Sequence, residues 1–186
     1  YAYKYPHTIK YRMCHDKCKS WIKDKGVGMN HLFGPDFNAG SSSRIYITEG
    51  EFDAASLYQI LGKTFPVKSL PSSSIGKKFI EHNHKYLSSF KEVVYAGELD
   101  APGRSAADKL YQAFPEKFYF VPMNEHKDAN EFLEKGKANS LMWSARSPQR
   151  YSPENFFCSD AAVEEAIKTE NPYEYVPTGH TGLDSK

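Results

Sequence analysis

The sequence predicts an α/β fold: a parallel four-stranded sheet flanked by helices. Three observations carry this. Apolar or alternating runs at residues 44–48, 65–70, 92–96 and 118–121 read as strands. Each is followed by a helical spacing or a helix-start signal. Acidic clusters lie just beyond the first, third and fourth runs: Glu49-Gly50-Glu51-Phe52-Asp53, Glu98-Leu99-Asp100 and Lys127-Asp128-Ala129-Asn130-Glu131. That is the edge at which ligands bind in open parallel sheets.

The elements follow in order. Residues 44–48 alternate Ile45 and Ile47 with polar or aromatic neighbours, as a strand does. Residues 52–61 offer Ala54, Ala55, Leu57, Tyr58 and Leu61 to one helical face, with Gly62 as the C-terminal cap. Residues 65–70 form a second strand, and Pro71-Ser72-Ser73-Ser74 turns the chain into a helix over 75–90. Val93, Val94 and Tyr95 make the near-continuous apolar run of a strand covered on both faces. Pro102 suits the first turn of a helix reaching about Phe114. After the strand at 118–121, Asp128 with Glu131 three residues on reads as a capping box. Strand–helix alternation of this kind gives a parallel sheet with right-handed crossovers.

Three regions are expected. Residues 1–43 are irregular, basic and rich in Tyr and Gly, a small N-terminal basic subdomain ending in the flexible joint Gly40-Ser41-Ser42-Ser43. Residues 44–136 hold the sheet. Residues 137–186 form an extension, with a short helix at 159–169 and a Pro- and Gly-bearing linker beyond.

At 186 residues, 40% hydrophobic and 15% aromatic, the chain can bury a core. It reads as a fragment of something longer. No apolar run reaches the length of a membrane span, so no membrane partner is expected. Three Cys argue against a disulfide framework. The net charge of +1 hides an asymmetry: seven Lys/Arg against three Asp in residues 1–40, and seven acids against two Lys in 151–186. A basic head suits a polyanion, although a solvated surface has the same composition.

Carboxylates gathered at one sheet edge are what a protein needs to hold Mg²⁺ against phosphate. Glu49 ends a strand, and Gly50 lets the backbone turn there. Asp53, one helical turn on, is either a site residue or a first-turn acid favoured by the helix dipole. Glu98 and Asp100, at i and i+2, leave on one face if strand geometry persists; Asp100 also suits a turn with Ala101-Pro102-Gly103. Asp128 is a ligand or a helix cap. Arg104, Lys127, Lys77 and Lys78 are phosphate contacts or ordinary surface cations. Cys14, His15 and Cys18 lack a second ligand pair at zinc spacing, so no zinc is expected. No P-loop pattern occurs.

The three clusters in this order resemble the TOPRIM domain of primases, topoisomerases and some nucleases. More narrowly, the chain resembles the RNA polymerase (primase) domain of phage-type primase–helicases, relatives of the mitochondrial helicase Twinkle. The matching pieces are Thr48-Glu49-Gly50-Glu51-Phe52-Asp53, Glu98-Leu99-Asp100-Ala101-Pro102-Gly103-Arg104, Lys127-Asp128-Ala129-Asn130-Glu131, Val67-Lys68-Ser69-Leu70 with Gly76-Lys77-Lys78, and Lys10-Tyr11-Arg12 with Leu32-Phe33-Gly34. They cover about residues 8–135. The tail from Pro177 to Asp184 resembles the approach to a RecA-like helicase domain.

The resemblance implies metal-dependent, template-directed synthesis of short RNA primers on single-stranded DNA. Mg²⁺ or Mn²⁺ would be held by Glu98, Asp100 and Asp128, with Glu49 as general base or further ligand. Lys10, Arg12, Lys77, Lys78, Arg104 and Lys127 would contact nucleotide or DNA. The partners implied are ribonucleoside triphosphates, the template and a covalently linked helicase domain. The setting implied is the cytoplasm of a phage-infected cell, or the mitochondrion for a Twinkle relative. One departure is notable: the family usually has Asp where this chain has Glu98, whose extra methylene moves the carboxylate by about an ångström or more, a distance that matters to a metal site. Two other classes stay open, a nuclease or topoisomerase of the same fold and a non-catalytic single-stranded-DNA-binding module.

Overall fold

The computed structural model describes residues 1–13, 20–22, 30–72 and 74–153. Cys14, His15 and Cys18, the helix expected at 159–169 and the stretch 177–184 lie outside the described residues. Tyr1–Tyr151 form one compact unit.

The described part of residues 1–43 is more regular than its composition suggests. β1 (Ala2–Lys4), β2 (Ile9–Arg12) and β3 (Ser20–Ile22) pair antiparallel in the order β1-β2-β3. Gly40-Ser41-Ser42-Ser43, expected to flex, follows a hydrogen-bonded turn: the N–H groups of Ser41 and Ser42 both donate to the Asn38 carbonyl, and the Ser42 hydroxyl donates to that of Arg44.

The main sheet comprises β4 (Arg44–Thr48), β5 (Val67–Ser69), β6 (Glu92–Tyr95), β7 (Phe118–Phe120) and β8 (Gln149–Arg150), in the order β5-β4-β6-β7-β8. The first four strands in that order run parallel, as expected. The fifth is an addition: two-residue β8 pairs antiparallel with β7. On the opposite edge, Phe33 exchanges both backbone hydrogen bonds with Ser69, so β5 does not present a bare edge.

Strand alternation divides the core in two. Ile45, Ile47, Val93 and Tyr95 face one side, with Phe79 and Leu87 of α2 (Lys77–Ser88) and Ala106, Ala107 and Leu110 of α3 (Ala101–Ala113). Tyr46, Val94 and Ala96 face the other, with Ala54, Leu57 and Ile60 of α1 (Glu51–Ile60), Phe132 of α4 (Ala129–Glu134) and Leu141 and Ala145 of α5 (Ala138–Arg146). Each of the Val, Leu, Ile and Phe side chains contributes roughly 1.5–3 kcal/mol by leaving water, and each Ala about 1 kcal/mol or less. The Tyr46 hydroxyl is not orphaned in this core; it donates to the Ala145 carbonyl at 2.7 Å.

Helix ends follow local chemistry. Gly62 and Gly136, at φ +65° and +70°, close α1 and α4. In each, the next two N–H groups reach back in the paired pattern of a left-handed cap: Gly62 to Gln59 and Lys63 to Tyr58, Gly136 to Leu133 and Lys137 to Phe132. Among the described residues no helix is long and apolar enough to cross a membrane.

Candidate active site

β4 and β6 are the central pair, and the chain leaves β4 toward β5 on one side before returning through β6 to β7 on the other. Their carboxyl ends therefore form the switch point at which such sheets bind ligands. Glu49 follows β4, Glu98 and Asp100 follow β6, and Asp128 follows β7 by a short loop.

Glu49 is half-buried between these strands. Its Oε1 accepts from the Tyr95 hydroxyl at 2.8 Å. Burial pushes its pKa up; Asp100 and Glu98 push the same way, and the Tyr95 hydroxyl and the Glu98 amide pull it back. The second cluster thus lies within electrostatic reach of the first. Glycines make the approach possible. A Cβ on Gly97 would stand 2.8 Å from the Glu49 Cγ and 2.7 Å from the Tyr95 ring. A Cβ on Gly103 would stand 1.9 Å from the Glu98 carbonyl oxygen and 2.7 Å from Glu49 Oε1. Gly103 meets backbone and tolerates no side chain, and a side chain at Gly97 would displace Tyr95 and Glu49 from each other.

The strand geometry assumed for Glu98 and Asp100 does not persist, because β6 stops at Tyr95. Asp100 instead caps α3, its Oδ1 accepting from the Gly103 amide at 2.8 Å. Both acids are exposed. Arg104 is exposed too, and its Nε donates to the Leu99 carbonyl at 2.7 Å, across the loop that carries the acids.

Asp128 caps α4 in the same way, its Oδ1 accepting from the Glu131 amide at 2.8 Å. The box is displaced by one residue, for the Glu131 carboxylate accepts from the Lys127 amide and not from that of Asp128. Asp53 joins the third cluster to the first. Burial raises its pKa to about 6; Asp128 and Glu49 also raise it, against the amides of Asn130 and Gly50. The sequence reading left Asp53 outside the metal set, yet it stands between Glu49 and Asp128. Its position four residues after Glu49, on the first turn of α1, was the available signal.

Two cavities of about 420 Å³ each open at this edge. One is lined by Gly97, Glu98, Phe120, Met123 and Lys127 among others. The other is lined by Arg12, Phe52, Asp53, Lys127 and Asp128 among others. Lys127 is common to both. Among the described residues, no three His, Cys, Asp or Glu side chains stand close enough together to enclose one metal ion. Electrostatic coupling nonetheless links them in two sets: Glu49 feels Asp100 and Glu98, and Asp53 feels Asp128 and Glu49.

The remaining cations divide. Arg12, on β2, lines the second cavity. Lys10, two residues earlier, does not reach out to a ligand. Its ammonium is 2.7 Å from Glu51 Oε1 and donates to the Pro71 carbonyl at 2.9 Å. The reason is Glu51, which is 2% exposed and also accepts from the Tyr5 hydroxyl at 2.8 Å. A carboxylate so buried requires a counter-charge. Lys77 and Lys78 are exposed at the start of α2, and neither lines either of these two cavities; Lys77 leans toward Glu81 at 3.6 Å.

Residues 46–133 match the sequence pattern of the Toprim-like family. The chain is 26% identical over 168 residues to the DNA helicase/primase of Enterobacteria phage T3, covering 88% of this chain and 29% of that protein. The chain thus spans less than a third of that relative's length. Among solved structures, it is similar to the bacteriophage T7 primase domains seen with the lagging-strand DNA polymerase, an RNA/DNA hybrid and dTTP. There the TM-score is 0.67 at 24% identity, covering 77% of this chain and 72% of that one. The primase fragment of the T7 primase–helicase gives 0.55 at 23%, covering 76% and 65%. A DnaG primase catalytic domain bound to single-stranded DNA gives 0.60 at 15%, covering 87% and 51%. The fold is that of TOPRIM and primase domains.

Proposed function

We propose that this chain, which carries a Toprim-like domain over residues 46–133, is the RNA-synthesising part of a phage-type primase–helicase, a nucleotidyltransferase that joins ribonucleotides on a single-stranded DNA template. The division at residues 43 and 136, with a helicase domain beyond the tail, belongs to this reading. One observation carries it: three acidic clusters, far apart in sequence, follow three adjacent strands and flank two cavities that share Lys127. Two cavities suit a reaction with two nucleotide substrates, a primer 3′ end and an incoming triphosphate.

The donor type, carboxylate oxygens only, is that of a hard divalent cation, Mg²⁺ or Mn²⁺, although among the described residues no three of these side chains enclose one ion as they stand; burial and mutual repulsion raise the pKa values of Glu49 and Asp53 beside them. Glu98, Asp100 and Asp128 are the candidate ligands, with Asp53 and Glu49 adjoining. Such an ion, when bound, offsets charge on the transferring phosphoryl group. Glu49 has a raised pKa and accepts from Tyr95. It is the candidate base for the 3′-hydroxyl, or a further ligand. Lys127 and Arg12 stand where triphosphate oxygens would need cations. Asp100 and Asp128 hold their loops to the helices they cap, which fixes the carboxylates relative to the sheet.

The test is primer synthesis on single-stranded DNA with labelled nucleotides. Short RNA products are expected, with their loss in Glu49→Gln and Asp100→Asn. Products undiminished by either change would refute the assignment. Nicking of plasmid without primers would place the chain among nucleases of this fold.

A further inference from the structure

The cavity lined by Asp53 and Asp128 is also lined by the apolar side chains of Tyr1, Met13 and Phe52. Phe52 lies on the first turn of α1, between Glu51 and Asp53. The helix buries Glu51, Ala54, Ser56, Leu57 and Ile60, so Phe52 falls on the outward side and remains 40% exposed. Its ring does not turn away into solvent. It packs edge-to-face against Tyr1 at 4.8 Å and 89°, and against Tyr3 at 5.8 Å and 87°. Tyr3 itself is buried and touches Phe33. Two near-perpendicular contacts thus fix the orientation of a ring left open to the cavity.

Tyr1 and Met13, 59% and 43% exposed, line the same cavity. Three exposed apolar side chains gathered in one pocket differ from apolar residues scattered singly over a surface. Arg12, Lys127, Asp53 and Asp128 line the same cavity, with Arg12 paired to Tyr1 through both backbone hydrogen bonds. Aromatic and thioether side chains beside cations and carboxylates in one cavity match a flat heterocycle joined to a polyphosphate carrying a divalent cation. The volume of about 420 Å³ falls within the range of small-molecule sites.

We propose that Phe52, supported by Tyr1 and Met13, is the stacking platform for the base of a bound nucleoside triphosphate whose phosphates lie toward Arg12 and Lys127. The inference rests on the polymerase reading and gives that site its base-binding half. It also fixes the kind of selectivity. A ring face accepts every base, so Phe52 supplies affinity and leaves the choice of base to the template.

The experiment is isothermal titration of the 186-residue chain, with Mg²⁺ present, against ATP, UTP and inorganic tripolyphosphate. The variants are F52A, F52L, which keeps apolar bulk without a ring face, and F52W. F52A and F52L are expected to weaken ATP about tenfold and UTP by a smaller factor, to leave tripolyphosphate unchanged, and F52W to restore ATP. Equal loss of ATP and tripolyphosphate in F52A and F52L would overturn the stacking role, as would unchanged ATP affinity in both. Wild-type chain that binds tripolyphosphate as tightly as ATP would overturn the platform alone and spare the polymerase reading. Wild-type chain that binds neither would overturn both.

Discussion

Tyr95 and Glu49 meet across the two central strands, the phenolic hydroxyl donating to Oε1 at 2.8 Å. Tyr95 is fully buried, and burial followed by the Glu49 charge pushes its pKa far above the ordinary value, so it stays a donor. Tyr95→Phe removes that donor and leaves a half-buried carboxylate oxygen without it. A stability loss of about 1–3 kcal/mol is expected on denaturant unfolding. Because the hydroxyl lowers the Glu49 pKa, the acidic limb of the pH–rate profile for primer synthesis should also move to higher pH. An unmoved limb would remove Tyr95 from the mechanism.

Asp53 gives the pH prediction. Its folded pKa of about 6 lies above the ordinary carboxylate value, so between about pH 4 and 6 the folded chain binds more protons than the unfolded one. Stability contributed by this group therefore falls as pH rises through that window, and the penalty is complete above it. In EDTA, Asp53→Asn should be more stable than wild type at pH 7.5 by roughly 2–3 kcal/mol, with the difference vanishing near pH 4. Thermal melts at the two pH values check this. A variant less stable than wild type at pH 7.5 would show that the carboxylate is held by something other than repulsion and burial.

Lys10 and Glu51 clamp the N-terminal sheet to the start of α1, which also brings Arg12 to the cavity edge. Lys10→Met leaves Glu51 charged and buried, at an expected cost of about 3–5 kcal/mol in urea unfolding. Glu51→Gln added to it should cost little more, because the stranded charge is then gone. Simple additivity of the two losses would mean that the pair does not act as a unit.

Asp128 separates structure from chemistry. Asn is as good an N-cap as Asp, and Ala is not. Asp128→Asn should therefore melt close to wild type while Asp128→Ala loses about 1 kcal/mol. Both should lose primer synthesis alike. Activity retained in Asp128→Asn would reduce this residue to its cap.

Much of the fold was legible because local signals agreed. Val93-Val94-Tyr95 announced a strand buried on both faces, and Pro102 announced the first turn of α3; that Asp100 would cap the helix was not legible beside its readings as a ligand or a turn residue. The small sheet was not legible. Its strands are three or four residues long and lack a repeating pattern, so their pairing is set by partners elsewhere in the chain. Glu51 belongs to the same class of miss. Lys10 reads as a nucleotide or DNA contact by resemblance, whereas it pairs with Glu51, 41 positions away, and no spacing rule encodes that. Gly103 looked like part of a turn; its actual duty, admitting the Glu98 carbonyl and Glu49 to the first turn of α3, exists only in three dimensions.

The central claim is that acids from separate strands act on one divalent ion, and Mn²⁺ binding followed by electron paramagnetic resonance tests it without requiring turnover. Saturable binding is expected in wild type, with affinity falling at least about tenfold in each of Glu49→Gln, Asp100→Asn and Asp128→Asn, since loss of one carboxylate from a shared site is felt by the whole. Mn²⁺ titrations of the three variants that overlay the wild-type curve would contradict it.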